Sequence, residues 1–221
     1  MHRSSGLVFA LSASVLAGAS GCASSANETA ADASESATPT IGAQKGERID
    51  FSGVTLRSAA GEPVPMNTLL SDGPVVVVFY RGSWCPYCEK ALEGWDTSID
   101  ELNAMGGRLI ALTPDAPSQV SEMLTEHDLG FTILSDADAE AGEALRINFL
   151  VDAETRKRYL GFGIDLEKSN ANGLWQLPHP GTFILDSDGT VLYASVSADY
   201  RNGRADPSEV IAAYRSIIAK R

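Results

Sequence analysis

Four consecutive valines, Val75 to Val78, run into Phe79 and Tyr80 with no polar residue among them. An apolar run without alternation reads as a strand buried on both faces. Just beyond it, Trp84-Cys85-Pro86-Tyr87-Cys88 opens a segment, residues 85–105, with Leu92, Trp95, Ile99 and Leu102 at helical spacing. A buried strand feeding directly into a helix belongs to an α/β architecture with a parallel sheet centre. It also places two thiols, three residues apart, at a strand-to-helix junction. There the free backbone N–H groups and the positive end of the helix dipole stabilise a thiolate. The second sulfur can close a small-ring disulfide without rearranging the backbone. A zinc site would need two further ligands, and His127 and His179 stand at no ligand spacing.

The first 45 residues have a different character. Met1-His2-Arg3 is a short positive segment, and residues 7–19 are apolar or small, too short to cross a bilayer as an anchor helix. Ala19-Ser20-Gly21-Cys22 then resembles a bacterial lipobox, with Cys22 as the acylated residue, although Ala19 stands where such boxes carry Leu. The rival reading is an ordinary secretory signal cut near Ala23. Residues 1–21 are therefore expected to be a signal of the lipoprotein type. Residues 22–45, rich in Ala, Ser, Thr and Glu, are expected to be a disordered tether with a reach of about 25–30 Å. Residues 46–221 form one domain. The protein is expected to be exported and bound to a bacterial membrane through the lipid alone, facing the periplasm or the exterior. That leaves Cys85 and Cys88 as the thiols of the folded part, where disulfides persist and a dithiol needs a dedicated reductant. The 17 basic residues against 29 acidic ones are scattered without a basic patch, which argues against nucleic acid and anionic lipid surfaces as partners.

Along residues 46–221, alternation over 48–57 predicts an N-terminal hairpin with Gly53 in or near its turn, followed by a loop at 61–65 and a helical turn at 66–70. After the first helix come a strand at 108–113, a helix at 117–127 with Val120, Met123 and Leu124 facing inward, and a strand at 131–134. A third helix runs to about Arg146. A helical insertion over 148–159 precedes a loop-rich stretch at 161–177. Residues 181–185 and 190–196 read as strands around an Asp186-Ser187-Asp188-Gly189 turn, and Asp206-Pro207-Ser208 caps a final helix. This order gives a thioredoxin-like fold: a central mixed β-sheet with helices on both faces.

The stretch from Phe79 through Arg81 and Trp84 to Cys88 resembles the alkyl hydroperoxide reductase and thiol-specific antioxidant branch of the thioredoxin superfamily, closest to peroxiredoxin-like members with Cys-Pro-x-Cys. Ser135-Asp136 with Asp138 and Glu140, and Gly181-Thr182-Phe183-Ile184-Leu185-Asp186, extend the resemblance over roughly residues 46–219. It implies a thiol-dependent peroxidase that reduces hydrogen peroxide or alkyl hydroperoxides through a Cys85/Cys88 cycle, without cofactor or metal, and takes electrons from a thioredoxin-like protein. On the peroxiredoxin frame Cys88 is the peroxidatic position. On the thioredoxin frame Cys85 attacks and Cys88 resolves. Both assignments stand on the sequence. Pro180 occupies the place of the usual peroxiredoxin arginine, where thioredoxins put a cis-proline against the disulfide. The cation that polarises the peroxide must then come from Arg81, Arg201 or Arg204, with Arg81 first because it sits in the active-site loop.

The remaining candidates have more modest roles. Trp84 packs over the dithiol, Tyr87 shapes access to it, and His179 tunes its potential from beside Pro180. Leu174-Trp175-Gln176-Leu177 reads as packing or as a groove wall. His127 reads as a helix C-cap. Two other functions fit the same residues: an exported thiol–disulfide oxidoreductase without peroxidase activity, and a copper chaperone using Cys85, Cys88 and His179.

Overall fold

The computed structural model describes residues 40–221, so the signal, most of the tether and Cys22 lie outside the described residues. The chain begins with two short strands, β1 (Thr55–Arg57) and β2 (Pro63–Pro65), and a turn of helix, α1 (Met66–Leu70). The centre follows as β3 (Val75–Phe79), α2 (Pro86–Ala104), β4 (Arg108–Thr113), α3 (Pro117–Glu126) and β5 (Thr132–Ser135). Next come α4 (Glu140–Ala144), β6 (Asn148–Leu150), α5 (Ala153–Gly161), α6 (Leu166–Ser169) and β7 (Gln176–Pro178). The chain closes with β8 (Gly181–Leu185), β9 (Val191–Val196) and α7 (Pro207–Ile218).

Seven strands form one sheet in the order β2-β1-β5-β4-β3-β8-β9. The β3–β4 and β4–β5 pairs are parallel, and β8 lies antiparallel to both β3 and β9. The β3 pleat explains the valine run. Val75, Val77 and Phe79 enter one core with α1 and α4, whereas Val76, Val78 and Tyr80 enter the other with α2, α3 and α7. Every residue of β3 is buried. This is the mixed sheet with helices on both faces that the element order implies.

Several boundaries differ from the sequence reading. Residues 48–57 do not form a hairpin: Arg48 makes only an isolated bridge to Thr190, and β1 pairs instead with residues 63–65, read above as a loop. Two prolines in β2 concealed a strand that is tolerable because β2 is the sheet edge. Leu124 faces outward, whereas Val120 and Met123 are buried. The expected helical insertion starts as β6, which pairs with β7 from the loop-rich stretch. Between them α5 and α6 build a small separate core of Val151, Leu166, Trp175 and Leu177, so Trp175 and Leu177 are packing residues while Leu174 is exposed.

Asp136 anchors the turn before α4. Its two carboxylate oxygens accept the backbone N–H groups of Ala141 (3.0 Å) and Gly142 (2.9 Å) in a buried setting. Removing them strands two buried donors, at a cost of about 1–3 kcal/mol. Thermal or urea unfolding of Asp136→Ala should show a loss of stability in that range, and an unchanged midpoint would mean that the turn is held by other contacts.

Candidate active site

β3 ends at Phe79 and the chain runs from the C-terminal end of that strand through Tyr80-Arg81-Gly82-Ser83-Trp84 into α2, with Cys85 as its N-cap and Pro86 at the first turn. Proline suits that place because it has no N–H to leave unpaired. Cys85 and Cys88 are both reduced and almost fully buried, at 1 % and 0 % exposure. The Cys88 backbone N–H donates to the Cys85 carbonyl at 2.8 Å, which closes the first turn and holds both sulfurs on one side of it.

The two thiols are driven apart electrostatically. Cys85 is lowered to about 6, chiefly by the hydrogen bond it accepts from the Cys88 thiol, against the opposing effect of burial; the Arg81 charge, the Cys88 backbone N–H and the Arg204 charge assist. Cys88 is pushed up by burial, by the hydrogen bond its thiol donates to Cys85 and by the Cys85 charge, with Arg204 pulling the other way. These effects favour the thiolate at Cys85, with the Cys88 thiol as its hydrogen-bond donor.

Each sulfur has its own guanidinium. Arg81 Nη1 lies 3.9 Å from Cys85 Sγ, and Arg204 Nη2 donates to Cys88 Sγ at 3.1 Å. Arg81 is no solvated loop charge. It is buried, donates to the Tyr159 hydroxyl, and lies over the rings of Tyr200 (3.9 Å to the centroid), Trp84 (4.9 Å) and Tyr159 (5.6 Å). Of the three candidate cations, Arg204 makes the shortest sulfur contact, and its Nε has no partner. Arg201 instead lies against Tyr200.

Two clefts adjoin the two arginines. One, of about 460 Å³, runs along α2 past Tyr87, Lys90, Trp95, Thr182 and Arg204. The other, of about 400 Å³, is bounded by Arg81, Leu150, Arg158, Tyr159, Phe162 and His179. Pro180 and Arg201 line both. Tyr87 is exposed, as expected, and meets Tyr200 edge to face at 5.7 Å. His179 stacks on Phe149 at 4.4 Å between ring centroids, and burial lowers its pKa, which favours the neutral imidazole. Cys85, Cys88 and His179 do not converge as a ligand set. Among the described residues, the cluster that does is Glu89, Glu93 and His127 on the surface, where His127 Nε2 lies 3.3 Å from Glu89 Oε1 and the His127 N–H caps α3.

Sequence reasoning missed Tyr159 and Tyr200, which box Arg81, because an aromatic in an insertion or a terminal loop carries no local signal of what it covers. It also missed Asp115, which follows β4 and accepts the Ser83 N–H at 2.7 Å from beneath the active-site loop.

The AhpC/TSA family model matches residues 48–194. The chain is 25% identical over 118 residues to a putative peroxiredoxin Bcp of Haemophilus influenzae, covering 53% of this chain and 65% of that one. It is 27% identical over 117 residues to peroxiredoxin Bcp of Escherichia coli strain K12, covering 53% and 64%. It thus spans just under two thirds of these relatives' length. In fold it is similar to peroxidoxin BcpB of Mycobacterium tuberculosis (TM-score 0.60, 21% identity, 79% of this chain and 97% of that one). It is likewise similar to reduced Prx3 of Vibrio vulnificus in complex with H2O2 (TM-score 0.61, 19% identity, 77% and 98%). With the matched residues running from before β1 into β9 and enclosing the dithiol, the chain belongs to the AhpC/TSA family.

Proposed function

We propose that this protein is a thiol-dependent peroxidase in which Cys85 attacks and Cys88 resolves. The observation that carries the reading is the polarised pair itself: a thiolate at Cys85, a thiol at Cys88 in the same helical turn, and a guanidinium on each. The peroxidase relatives and the AhpC/TSA match support the reaction class.

In the first step the Cys85 thiolate attacks the terminal oxygen of ROOH. An S–O bond forms, the O–O bond breaks, and the leaving RO⁻ takes up a proton to become an alcohol or water. Charge develops on the leaving oxygen, and the unpartnered Nε of Arg204 and the Arg81 guanidinium are the donors placed to stabilise it. In the second step Cys88 attacks the Cys85 sulfenic sulfur and expels water, leaving an intramolecular disulfide. A thioredoxin-type dithiol protein then reduces that disulfide by exchange. No cofactor or metal is required.

The cysteine roles are tested by treating reduced Cys85→Ser and Cys88→Ser with stoichiometric hydrogen peroxide and a dimedone trap, then measuring intact mass. Cys88→Ser should accumulate a dimedone-trapped sulfenate on Cys85 within seconds, while Cys85→Ser should react no faster than free cysteine. The opposite pattern would reverse the roles, and two inert variants would remove the peroxidase.

We also propose that the enzyme is exported and lipid-anchored through Cys22, on the strength of the Ala19-Ser20-Gly21-Cys22 sequence. Metabolic labelling with a palmitate analogue in a bacterial host should mark the full chain and not Cys22→Ser. Equal labelling of the two, or none, would contradict the anchor.

A further inference from the structure

Away from the dithiol, one group of metal-ligating side chains converges among the described residues, and two of its members lie on the dithiol's own helix. Glu89 and Glu93 are four residues apart in α2, so both carboxylates project from one face of its first two turns. His127 meets them from the end of α3. One ligand atom from each of the three lies within 4.8 Å of the other two, and His127 Nε2 stands 3.3 Å from Glu89 Oε1.

The backbone fixes these donors relative to one another. The His127 N–H donates to the Met123 carbonyl at 3.0 Å, and the Leu129 N–H donates to the His127 carbonyl at 3.1 Å. Three residues beyond the histidine, the Gly130 N–H donates to Asp96 Oδ1 at 2.7 Å and ties the same loop back to α2. A Cβ on Gly130 would lie 3.2 Å from Ile99 Cγ2, so the loop runs close against that helix. The His127 side chain is 21 % exposed and that of Glu89 42 %, which shelters the cluster and leaves it open to a small ion.

The charges of the cluster are unbalanced. Two carboxylates at this helical spacing repel each other. Among the described residues, neither meets a lysine or arginine within 4.0 Å: His127 is the ion-pair partner of Glu89, and Glu93 has none. An imidazole–carboxylate pair accounts for Glu89 alone, whereas a dication would engage all three groups. The donor set also selects the ion. Imidazole nitrogen combined with carboxylate oxygen suits zinc and the neighbouring divalent transition metals, while calcium and magnesium take oxygen shells. Three protein donors leave a fourth tetrahedral position for water. The thiols are separate from this site, because both sulfurs are buried in the α2-side core.

We propose that Glu89, Glu93 and His127 form a binding site for a divalent transition-metal ion of the zinc class. The ion joins the first two turns of α2 to the end of α3 and thereby braces the helix that carries Cys88. The site stands independently of the peroxidase reading, since no step of the dithiol cycle passes through it.

The test is calorimetric titration of Zn²⁺ into the full chain with Cys22, Cys85 and Cys88 all replaced by serine, so that no thiol contributes. One equivalent should bind, and an excess of Mg²⁺ should not displace it. His127→Ala and Glu93→Gln should each weaken binding by about tenfold or more, since changes merely adjacent to a metal's ligands already cost that much. Thermal unfolding supplies a second readout. Zn²⁺ should raise the midpoint of the parent protein and leave that of both variants unmoved, while the metal-free midpoints of all three stay close together. Failure to bind one equivalent overturns the proposal, and so does a Zn²⁺ affinity that survives both substitutions. Displacement by Mg²⁺ at similar concentration overturns the assignment of the ion. An unchanged titration for Glu93→Gln reduces the cluster to the His127–Glu89 ion pair and overturns the site.

Discussion

The structure is organised around a buried sulfur whose surroundings favour the thiolate. A charged sulfur with 1 % of its surface exposed is unfavourable unless specific donors replace the lost hydration. At Cys85 the replacements are the Cys88 thiol first, then Arg81, the Cys88 backbone N–H and Arg204. Each of these has a structural requirement. The Cys88 donors exist because α2 begins at Pro86, so both cysteines fall within one turn. Arg81 reaches the sulfur because three aromatic rings and the Tyr159 hydroxyl hold its guanidinium in place. Tyr159 comes from the α5 insertion, and Tyr200 comes from the segment joining β9 to α7. The insertion and the terminal segment thus serve the dithiol, although neither belongs to the central sheet.

The position of the second arginine follows from the same requirement. Pro180 stands just before β8, where no side chain can donate to sulfur, and it lines both clefts. The positive charge enters instead on Arg204, shortly before α7. The donor arrives from a loop rather than a strand, and Tyr200 of the same loop packs on Arg81. One segment therefore supplies a guanidinium to Cys88 and a ring to the guanidinium beside Cys85.

The central elements were legible because their physics is local. Continuous β-branched residues identified β3, the 3.6-residue spacing of Leu92, Trp95, Ile99 and Leu102 identified α2, and Asp206-Pro207 marked α7. The edge was less legible. β2 contains two prolines and pairs on one side only, so its identity is set by its β1 partner rather than by its own residues. The dithiol could be read directly, yet the order of the two cysteines could not. That order depends on burial and on which guanidinium meets which sulfur, and Arg204 lies 116 residues from Cys88. Asp115 looked like an ordinary acidic residue after a strand, and only the packing shows it buried beneath Ser83.

The most direct test is the second-order rate constant of the reduced wild-type protein with hydrogen peroxide, followed by tryptophan fluorescence in a stopped-flow instrument from pH 4.5 to 8.5. If Cys85 is the attacking thiolate, the rate should exceed that of free cysteine at neutral pH by orders of magnitude. It should also fall on acidification with a midpoint well below that of an ordinary thiol, because the Cys88 hydrogen bond and the two guanidinium charges lower Cys85. A rate no greater than that of free cysteine, or one that keeps rising through pH 8.5, would contradict the account.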